Sequence, residues 1–539
     1  MHSHLIVRVI LIAWCFLLAL PVVSVLAAWL AFDAAALAVL QHQFETVLAG
    51  YALQSLLLAL GVALGTAALG VATAVAVTLF RFPGRGFFEW ALLLPMAMPA
   101  YVLAYAATDA LQPSGLAQTA LREAFGWRGS LWPDVRSLGG AIPLFVLCLY
   151  PYVYLLTRAA LSERAVQMME AARLLGAGLR RRLFEVALPL ARPAVVAGVA
   201  LALMETLADY GVGAYFGLAT FTTGIYRAWL SMNDPTAAAQ LAALLLAVVA
   251  VLLLLERRAQ ARLRFAASRG GSVQASEAQP VSLGGGRAVA AVLLCSAPVL
   301  LGFFLPVGWL LAMLWREMLY GEVGLPLERF AGWAWATFRL AGLAALAACA
   351  TALVLGFALR LRAGPVLQVG ARLLSLGYAV PGAVVAIGIL LPLGWLQQRW
   401  PDSTVAPLFT GTLLGVMYAY LVRFTAVAMQ SVDAGYARVP ISVDETARTL
   451  GASRWRVLAR LHLPLLRRPV LAAGLLVFVD VMKELPATLV LRPFGSDTLA
   501  VVAYNLARDE RLAEAALPSL AIVAVGLLPV LLLSRAMRR

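Results

Sequence analysis

Long apolar stretches alternate with short arginine-rich segments along the whole chain. A helix needs about 20 apolar residues to cross a bilayer, and helices satisfy their own backbone hydrogen bonds in lipid. We therefore interpret the apolar stretches as membrane-spanning helices. Twelve stretches qualify, with approximate limits 5–32, 51–80, 88–108, 139–157, 193–215, 236–255, 288–314, 337–359, 366–394, 405–430, 470–491 and 513–534.

A polar linker separates the twelve stretches into two sets of six. Residues 256–287 are rich in glycine, serine and arginine, a composition typical of a flexible connection. We predict an all-α integral membrane protein with a first six-helix half at 1–255, a cytoplasmic linker at 256–287 and a second six-helix half at 288–539. The N-terminal stretch is too long for the apolar region of a signal peptide, so we expect it to remain as the first span.

Composition and charge agree with a membrane protein. Of the 539 residues, 63% are hydrophobic and 13% are charged, whereas soluble domains are about 45–50% apolar and about 25% charged. The net charge of +15 comes from arginines at the ends of apolar stretches, including seven in 158–192 and seven in 438–468. This distribution follows the positive-inside rule and argues against nucleic-acid binding, which needs a basic face on a soluble domain. With twelve spans, it predicts cytoplasmic N- and C-termini in a bilayer.

Several kinds of reactive site are missing from the sequence. The four cysteines lie in apolar stretches without CxxC spacing, and the four histidines form no HExxH pattern. The single lysine, Lys483, is not part of a phosphate-binding GxxxxGK[ST] loop. We therefore expect no enzymatic activity and no cofactor bound by this chain. Any ATP and Mg²⁺ would be bound by a partner subunit.

A charged segment occurs twice, with an offset of 275 residues and no gap. Both copies follow the pattern E-x-A-x3-G-x9-hydrophobic-x-L-P, which predicts a helix, a glycine turn and a second helix ended by proline. The second copy also contains Ser442-x-x-Glu445, which predicts a capping box. The matched positions are Glu170, Ala171, Ala172, Gly176, Leu188 and Pro189 in the first copy and Glu445, Thr446, Ala447, Gly451, Leu463 and Pro464 in the second.

The repeated segment resembles the EAA motif of ABC importer permeases, EAA-x3-G-x9-I-x-LP. The first copy departs from it at Val186, and the second at Thr446 and Leu461. The resemblance implies a type I ABC importer-like fold with two docking loops, 162–192 and 437–468. It further implies two copies of a P-loop ABC ATPase as partners, each docking on one loop.

The same offset aligns two pairs of acids inside predicted spans. Glu205 and Asp209 align with Asp480 and Glu484, and each pair is spaced i,i+4 on one helix face. Intramembrane acids usually face a bundle interior and carry function, so the four acids and Tyr210 form a candidate translocation path. A structural or gating role, with neighbouring Lys483 or Arg492 as ion-pair partners, is the alternative.

Two segments indicate the cargo. Residues 205–229 and 481–510 closely resemble the corresponding segments of ferric-iron ABC permeases. This implies a periplasmic ferric-iron-binding protein as a partner and a bacterial inner-membrane location. No metal ligand is assigned, although Fe³⁺ in transit would suit the acids. A thiamine permease, for which a cation–π box is expected, and an ion-driven secondary transporter with proton-relay acids remain alternatives.

Overall fold

Helices make up nearly all of the regular structure. The computed structural model describes residues 2–29, 34–162, 166–269, 281–321, 325–361 and 364–537. In these ranges the strands are limited to β1 (Phe80–Arg81) and β2 (Val281–Ser282), which pair in parallel. The all-α prediction is confirmed. The central part of the predicted linker, 270–280, and residues 163–165 of the first predicted docking loop lie outside the described residues.

The helices of the first predicted half are α1 (His2–Ala27), α2 (Ala34–Thr46), α3 (Leu48–Leu79), α4 (Arg85–Ala91), α5 (Ala100–Leu111), α6 (Leu116–Phe125), α7 (Leu138–Ala160), α8 (Val166–Leu174), α9 (Leu179–Arg181), α10 (Leu188–Ala208), α11 (Gly211–Tyr215), α12 (Phe221–Tyr226) and α13 (Pro235–Arg269). Those of the second are α14 (Gly285–Val299), α15 (Leu305–Tyr320), α16 (Leu327–Arg360), α17 (Pro365–Leu374), α18 (Gly382–Arg399), α19 (Val405–Gly411), α20 (Leu414–Tyr436), α21 (Ile441–Thr449), α22 (Arg454–Val457), α23 (Leu463–Met482), α24 (Pro486–Leu491), α25 (Leu499–Arg508) and α26 (Leu512–Met537).

Not every predicted span is one straight helix. By length and composition, the described residues contain 8 helices able to cross a membrane, or up to 10 if two bent pairs each count as one span. Helical segments at 85–97 and 100–125 meet at 89°, and α19 and α20 meet at 78°. The predicted spans 366–394 and 470–491 are each broken into two helices, because Pro381 and Pro486 each stand at the start of the second helix.

One compact unit comprises residues 1–43, 225–246 and 326–502. Within it α1 packs against α17 and α18, and α16, α20 and α23 pack against one another. The contact between α1 and α18 is very close, because a Cβ on Gly388 would lie 2.1 Å from the Pro21 carbonyl oxygen. The Ser24 hydroxyl donates to the Gly388 carbonyl at 2.5 Å, so a small residue and a local hydrogen bond fix this crossing.

The other compact unit comprises residues 44–224, 247–325 and 503–539. Its core is formed by α3, α7 and α10, and α15 packs against α26. A Cβ on Gly198 would lie 2.7 Å from the Val153 Cα atom, which explains why α7 and α10 cross at a glycine. Each unit combines segments from both predicted halves, so the halves describe the sequence repeat. The domain limits 1–255 and 288–539 stay a prediction.

Candidate docking loops and translocation path

The first repeated segment forms a helix, a tight turn and a second helical stretch. Helix α8 ends at a left-handed glycine, Gly176, with φ of +84°. The Gly176 N–H donates to the Arg173 carbonyl at 2.9 Å, and the Ala177 N–H donates to the Ala172 carbonyl at 2.9 Å. These bonds satisfy carbonyls that would otherwise be free at the helix end. Glycine is required here because a Cβ disfavours this backbone conformation.

The second segment forms the same turn with the equivalent backbone hydrogen bonds. Gly451 has φ of +77°, its N–H donates to Arg448 at 3.0 Å, and the Ala452 N–H donates to Ala447 at 3.0 Å. The capping-box prediction is wrong, because α21 begins at Ile441 and Ser442 lies inside the helix without a side-chain cap. Helix α21 therefore forms without a capping box at its N-terminus. The feature that the two segments share is the glycine turn at the end of the helix.

The predicted proline stop is also wrong in both segments. Each Leu–Pro pair begins a long helix, α10 or α23, that continues directly from a π-helical turn at Arg182–Ala187 or Leu458–His462. Proline has no N–H to donate, and the widened hydrogen-bond pattern of a π turn accommodates that loss in a continuous helix. The backbone thus runs without a break from each docking loop into a membrane helix.

Large apolar side chains project from both loops. Leu175 is 89% exposed and its repeat partner Leu450 is 82% exposed, and Leu174 and Trp455 are exposed as well. Exposed apolar groups of this size next to arginines indicate a protein contact surface. The motif acids Glu170 and Glu445, like Ala171 and Thr446, also lie on exposed positions, whereas Ala172 and Ala447 are half-buried.

A buried polar network anchors the second loop and has no counterpart among the described residues of the first. Asp444 on α21 accepts from Arg360, at the end of α16, and lies 2.6 Å from His462 Nε2 through its other oxygen. His462 Nδ1 lies 3.1 Å from the Tyr436 hydroxyl. Burial raises the pKa of Asp444, but the hydrogen bonds from Arg360 and His462 outweigh it and hold the pKa below the ordinary carboxyl value.

The offset of 275 places apolar residues at the first-loop positions of this network. Met169 stands where Asp444 would be, and Ala187 stands where His462 would be. The only sequence signal for the network was a histidine inside one motif copy. The first half instead places an ion-pair cluster at the start of α4, where Glu89 lies 3.5 Å from both Arg85 and Arg158.

Two of the four predicted path acids cap short helices. In the unit that contains residues 44–224, Asp209 follows the end of α10 and accepts from the Val212 N–H at 2.8 Å, at the start of α11. In the unit that contains residues 326–502, Glu484 follows the end of α23 and accepts from the Ala487 and Thr488 N–H groups at 2.9 and 3.0 Å. Equivalent positions in the repeat therefore do the same structural work, stabilising a helix restart after a break.

The remaining path candidates differ in their contacts. The side chain of Glu484 is 1% exposed and pairs with Arg423 at 3.0 Å, whereas Asp480 pairs with Lys483 at 2.9 Å in a partly exposed position. Glu205 is half-buried on α10. Arg492, the alternative partner, pairs with Asp497 instead. Convergence of the two acid pairs and their role in translocation stay predictions.

Tyr210 belongs to a group of tyrosines that sequence reasoning missed. The Tyr504 hydroxyl donates to the Tyr210 hydroxyl at 3.4 Å, and their ring centroids are 5.6 Å apart. The two residues are 294 positions apart, so no spacing pattern linked them. In the described part of the chain, no group of three or more His, Cys, Asp and Glu side chains is arranged to hold a metal ion.

Comparison with known proteins identifies a repeated family region. The family model described as "Binding-protein-dependent transport system inner membrane component" matches residues 67–265 and again residues 350–539. The two matches contain the two candidate docking loops, 162–192 and 437–468. The predicted relationship to two-motif importer permeases is thereby confirmed.

Three relatives illustrate the range of cargo. The chain is 26% identical to the Fe(3+)-transport system permease protein FbpB 2 of Haemophilus influenzae, over 89% of this chain and 88% of that protein. It is 32% identical to a putative 2-aminoethylphosphonate transport system permease protein, PhnV, of Salmonella typhimurium, over 30% of this chain and 57% of that protein. It is 31% identical to the molybdenum transport system permease protein ModB of Escherichia coli, over 24% of this chain and 55% of that protein.

Proposed function

This chain belongs to the family of binding-protein-dependent transport system inner membrane components, and on that premise we propose that it is a permease for ferric iron. One observation carries the choice of cargo. The similarity to the ferric-iron permease covers 89% of this chain and therefore extends into both family regions, whereas the phosphonate and molybdenum relatives match 30% and 24% of it.

The charges of the candidate path support a cation. Glu205 and Asp480 place carboxylates on the two helices that leave the docking loops. Carboxylate oxygens are hard ligands suited to hard cations, and they would repel phosphonate or molybdate. The family match favours a binding-protein-dependent importer over the ion-driven secondary transporter.

Energy would enter through the two docking loops. We infer that each loop inserts its exposed leucine, Leu175 or Leu450, into a groove on one ATPase subunit, so that two subunits bind one permease chain. Movement of the ATPases would be carried through the continuous π turns into α10 and α23 and would shift an alternating-access equilibrium. ATP and Mg²⁺ would stay on those subunits, and this chain would bind no cofactor.

The surroundings follow from the same proposal. The chain would lie in a bacterial inner membrane with its N- and C-termini in the cytoplasm, because both docking loops must face the ATPases. A periplasmic ferric-iron-binding protein would deliver the cargo on the other side.

Uptake of radioactive iron and of thiamine separates the two cargoes. In a deletion strain that expresses the complete transporter, we expect this chain to restore iron uptake and leave thiamine uptake unchanged. Restored thiamine uptake alone would overturn the iron proposal in favour of the thiamine alternative.

A double variant tests the acids. Glu205→Gln with Asp480→Asn should reduce iron uptake at least tenfold, while the amount of assembled complex stays near that of the native chain. Glu123→Gln with Asp402→Asn is the matched control, because both of these acids are exposed and lie outside the candidate path. Native uptake by the first double variant would remove the carboxylates from the path.

A further inference from the structure

Five tyrosines, in one group of three and one pair, lie in the unit of residues 44–224, 247–325 and 503–539. The Tyr105 ring lies 5.8 Å from the Tyr101 ring and 4.9 Å from the Tyr215 ring, centroid to centroid. Tyr210 and Tyr504 form the pair described above. Tyr101, Tyr105, Tyr215 and Tyr504 are all buried. Three separate chain segments thus bring five phenol groups together.

One member of the cluster has an unpaired hydroxyl. Tyr105 is 1% exposed, and its hydroxyl has no hydrogen-bond partner among the described residues. Tyr210 precedes the short helix α11 and Tyr215 ends it, so α11 connects the pair with the other three tyrosines, and Asp209 directly precedes Tyr210. A buried hydroxyl without a partner carries a desolvation penalty. Phenylalanine would fill the same space without it, so packing alone does not explain this tyrosine.

An ion pair stands at one edge of the cluster. Arg136 donates to both oxygens of the Glu510 carboxylate at 2.8 and 2.9 Å and to the Tyr215 hydroxyl at 2.9 Å. Its guanidinium also lies 4.7 Å above the Tyr215 ring. Glu510 is exposed, and hydrogen bonds from Arg136 hold its pKa below the ordinary value. A carboxylate at the surface is therefore followed inward by an arginine, Tyr215 and Tyr105.

The ion pair lies at the end of the unit opposite the docking loop. Helix α7 begins two residues after Arg136 and ends at Ala160, shortly before α8 of the first loop. Its 23 residues are about 34 Å long at 1.5 Å per residue, which is the thickness of a bilayer. If the docking loop faces the ATPases, the Arg136–Glu510 pair and the neighbouring tyrosines lie towards the outer side, where cargo enters.

We propose that this tyrosine cluster, with Asp209, is a transient oxygen-ligand site for a hard trivalent cation at the outer entrance of the path. The inference rests on the proposed function and adds to it the ligands of the cargo. Phenolate and carboxylate oxygens are both hard ligands, and Tyr105 offers an oxygen with no competing bond. The ion pair of Arg136 and Glu510 limits access from the surface.

Binding at the site exchanges protons for the cation. For each tyrosine that becomes a ligand, the phenol O–H bond breaks, an oxygen–metal bond forms, and one proton leaves to solvent. The oxidation state of the cation does not change. The free-energy cost of removing the phenol proton lowers the affinity for the cation, which suits a site that must release its cargo.

Tyr105→Phe separates an oxygen-ligand site from an aromatic one, because phenylalanine keeps the ring face and removes the oxygen. The full chain, purified in detergent, is titrated with ferric nitrilotriacetate, and the visible tyrosinate-to-iron charge-transfer band is recorded. We expect a band for the native chain and a loss of iron affinity on the order of 10- to 100-fold in Tyr105→Phe, the range seen when a group supporting a metal site is removed. Tyr504→Phe is a second variant.

The control is Tyr150→Phe. Tyr150 is buried in the same unit, and its hydroxyl donates to the Leu92 carbonyl at 2.7 Å, away from the cluster. Its iron band should match that of the native chain, and thermal unfolding of each variant shows that it is folded. Absence of a band in the native chain, or an unchanged band in both Tyr105→Phe and Tyr504→Phe, overturns the site.

Transport distinguishes failure of the site from failure of the function. Native iron uptake by Tyr105→Phe and Tyr504→Phe would overturn the site while the permease keeps its proposed cargo. Absence of iron uptake by the native chain in the complete transporter would overturn the proposed cargo itself. Tight thiamine binding that survives Tyr105→Phe would instead identify an aromatic cation box.

Discussion

The anchor of the second docking loop gives the sharpest quantitative prediction. The change is Asp444→Asn, which keeps the size of the side chain and removes its charge. In the native chain Asp444 is bonded to Arg360 and to His462 and is largely buried. The variant leaves the Arg360 guanidinium without its counter-charge, so α21 should open more often from the rest of the unit.

The size of the effect follows from the burial of the pair. Both side chains are 10% exposed, so the range of about 0–1 kcal/mol for surface pairs does not apply. Removing one partner of a buried pair costs about 3–5 kcal/mol. Arg360 retains bonds to the Tyr436, Val439 and Pro440 carbonyls, and asparagine keeps an acceptor oxygen. We therefore expect a loss of about 2–3 kcal/mol.

Hydrogen–deuterium exchange measures this local opening directly. A loss of about 2–3 kcal/mol corresponds to roughly 30- to 160-fold faster exchange, since about 1.36 kcal/mol is tenfold. The amides of α21 should show it, and those of α8, where Met169 replaces the acid, should not. Glu445→Gln is the control, because Glu445 is exposed on the same helix. Unchanged α21 exchange in Asp444→Asn, or an equal rise in α8, would refute the reasoning.

The same anchor predicts a dependence on acid. The hydrogen bonds from Arg360 and His462 place the pKa of Asp444 below its value in the unfolded chain, which is about 3.9 for aspartate. The contribution of Asp444 is then complete above about pH 3.9 and is lost as the pH falls through the lower folded value. Exchange in α21, corrected for intrinsic rates, should stay protected to about pH 4 and rise below it. Loss of protection that depends on Asp444 already at pH 6 would contradict this.

Two further predictions concern the turns and the buried cap. Gly176→Val and Gly451→Val should each reduce co-purification of the ATPase while leaving membrane insertion unchanged, because valine disfavours a positive φ by about 1–2 kcal/mol although nothing lies within 4 Å of an added Cβ. Gly178→Ala, at an extended position with equal space, is the control, and full ATPase recovery with both valine variants would count against the docking loops. Glu484→Gln should lower the free energy of unfolding by about 3–5 kcal/mol, because it leaves the buried Arg423 without its partner. Asp480→Asn should lower the free energy of unfolding by about 0–1 kcal/mol. Equal shifts in unfolding temperature would show that burial does not decide the difference.

The sequence determined the features that depend on local pattern. Apolar length predicted the membrane helices, since the backbone in lipid has few alternatives. The offset of 275 aligned the two docking loops, and the structure shows the same glycine turn in both, with φ of +84° and +77° at Gly176 and Gly451. Glycine adopts a left-handed turn at the least cost in free energy, so this part of the site was readable from four or five neighbouring residues.

The positions at which helices break and begin were only partly predictable from the sequence. Helices α10 and α23 end near the acids, and Gly211 and Gly213 or Pro486 follow those ends, as expected of residues that interrupt helices. The Leu–Pro pairs, in contrast, begin helices after π turns. Proline only limits which hydrogen bonds the backbone makes, and the preceding π turn that accommodates it has no local signature.

Only the tertiary structure decided which polar groups meet. Asp444 and Arg360 are 84 residues apart, and Tyr210 and Tyr504 are 294 apart. The sequence shows Met169 and Ala187 at the equivalent positions of the first loop, but only the structure shows that Asp444 and His462 meet in the second. It aligned Asp209 with Glu484, and only the structure shows that both carboxylates cap helices. A repeat fixes the local backbone, whereas burial and pairing of a side chain depend on neighbours supplied by distant segments, and these differ between the two halves.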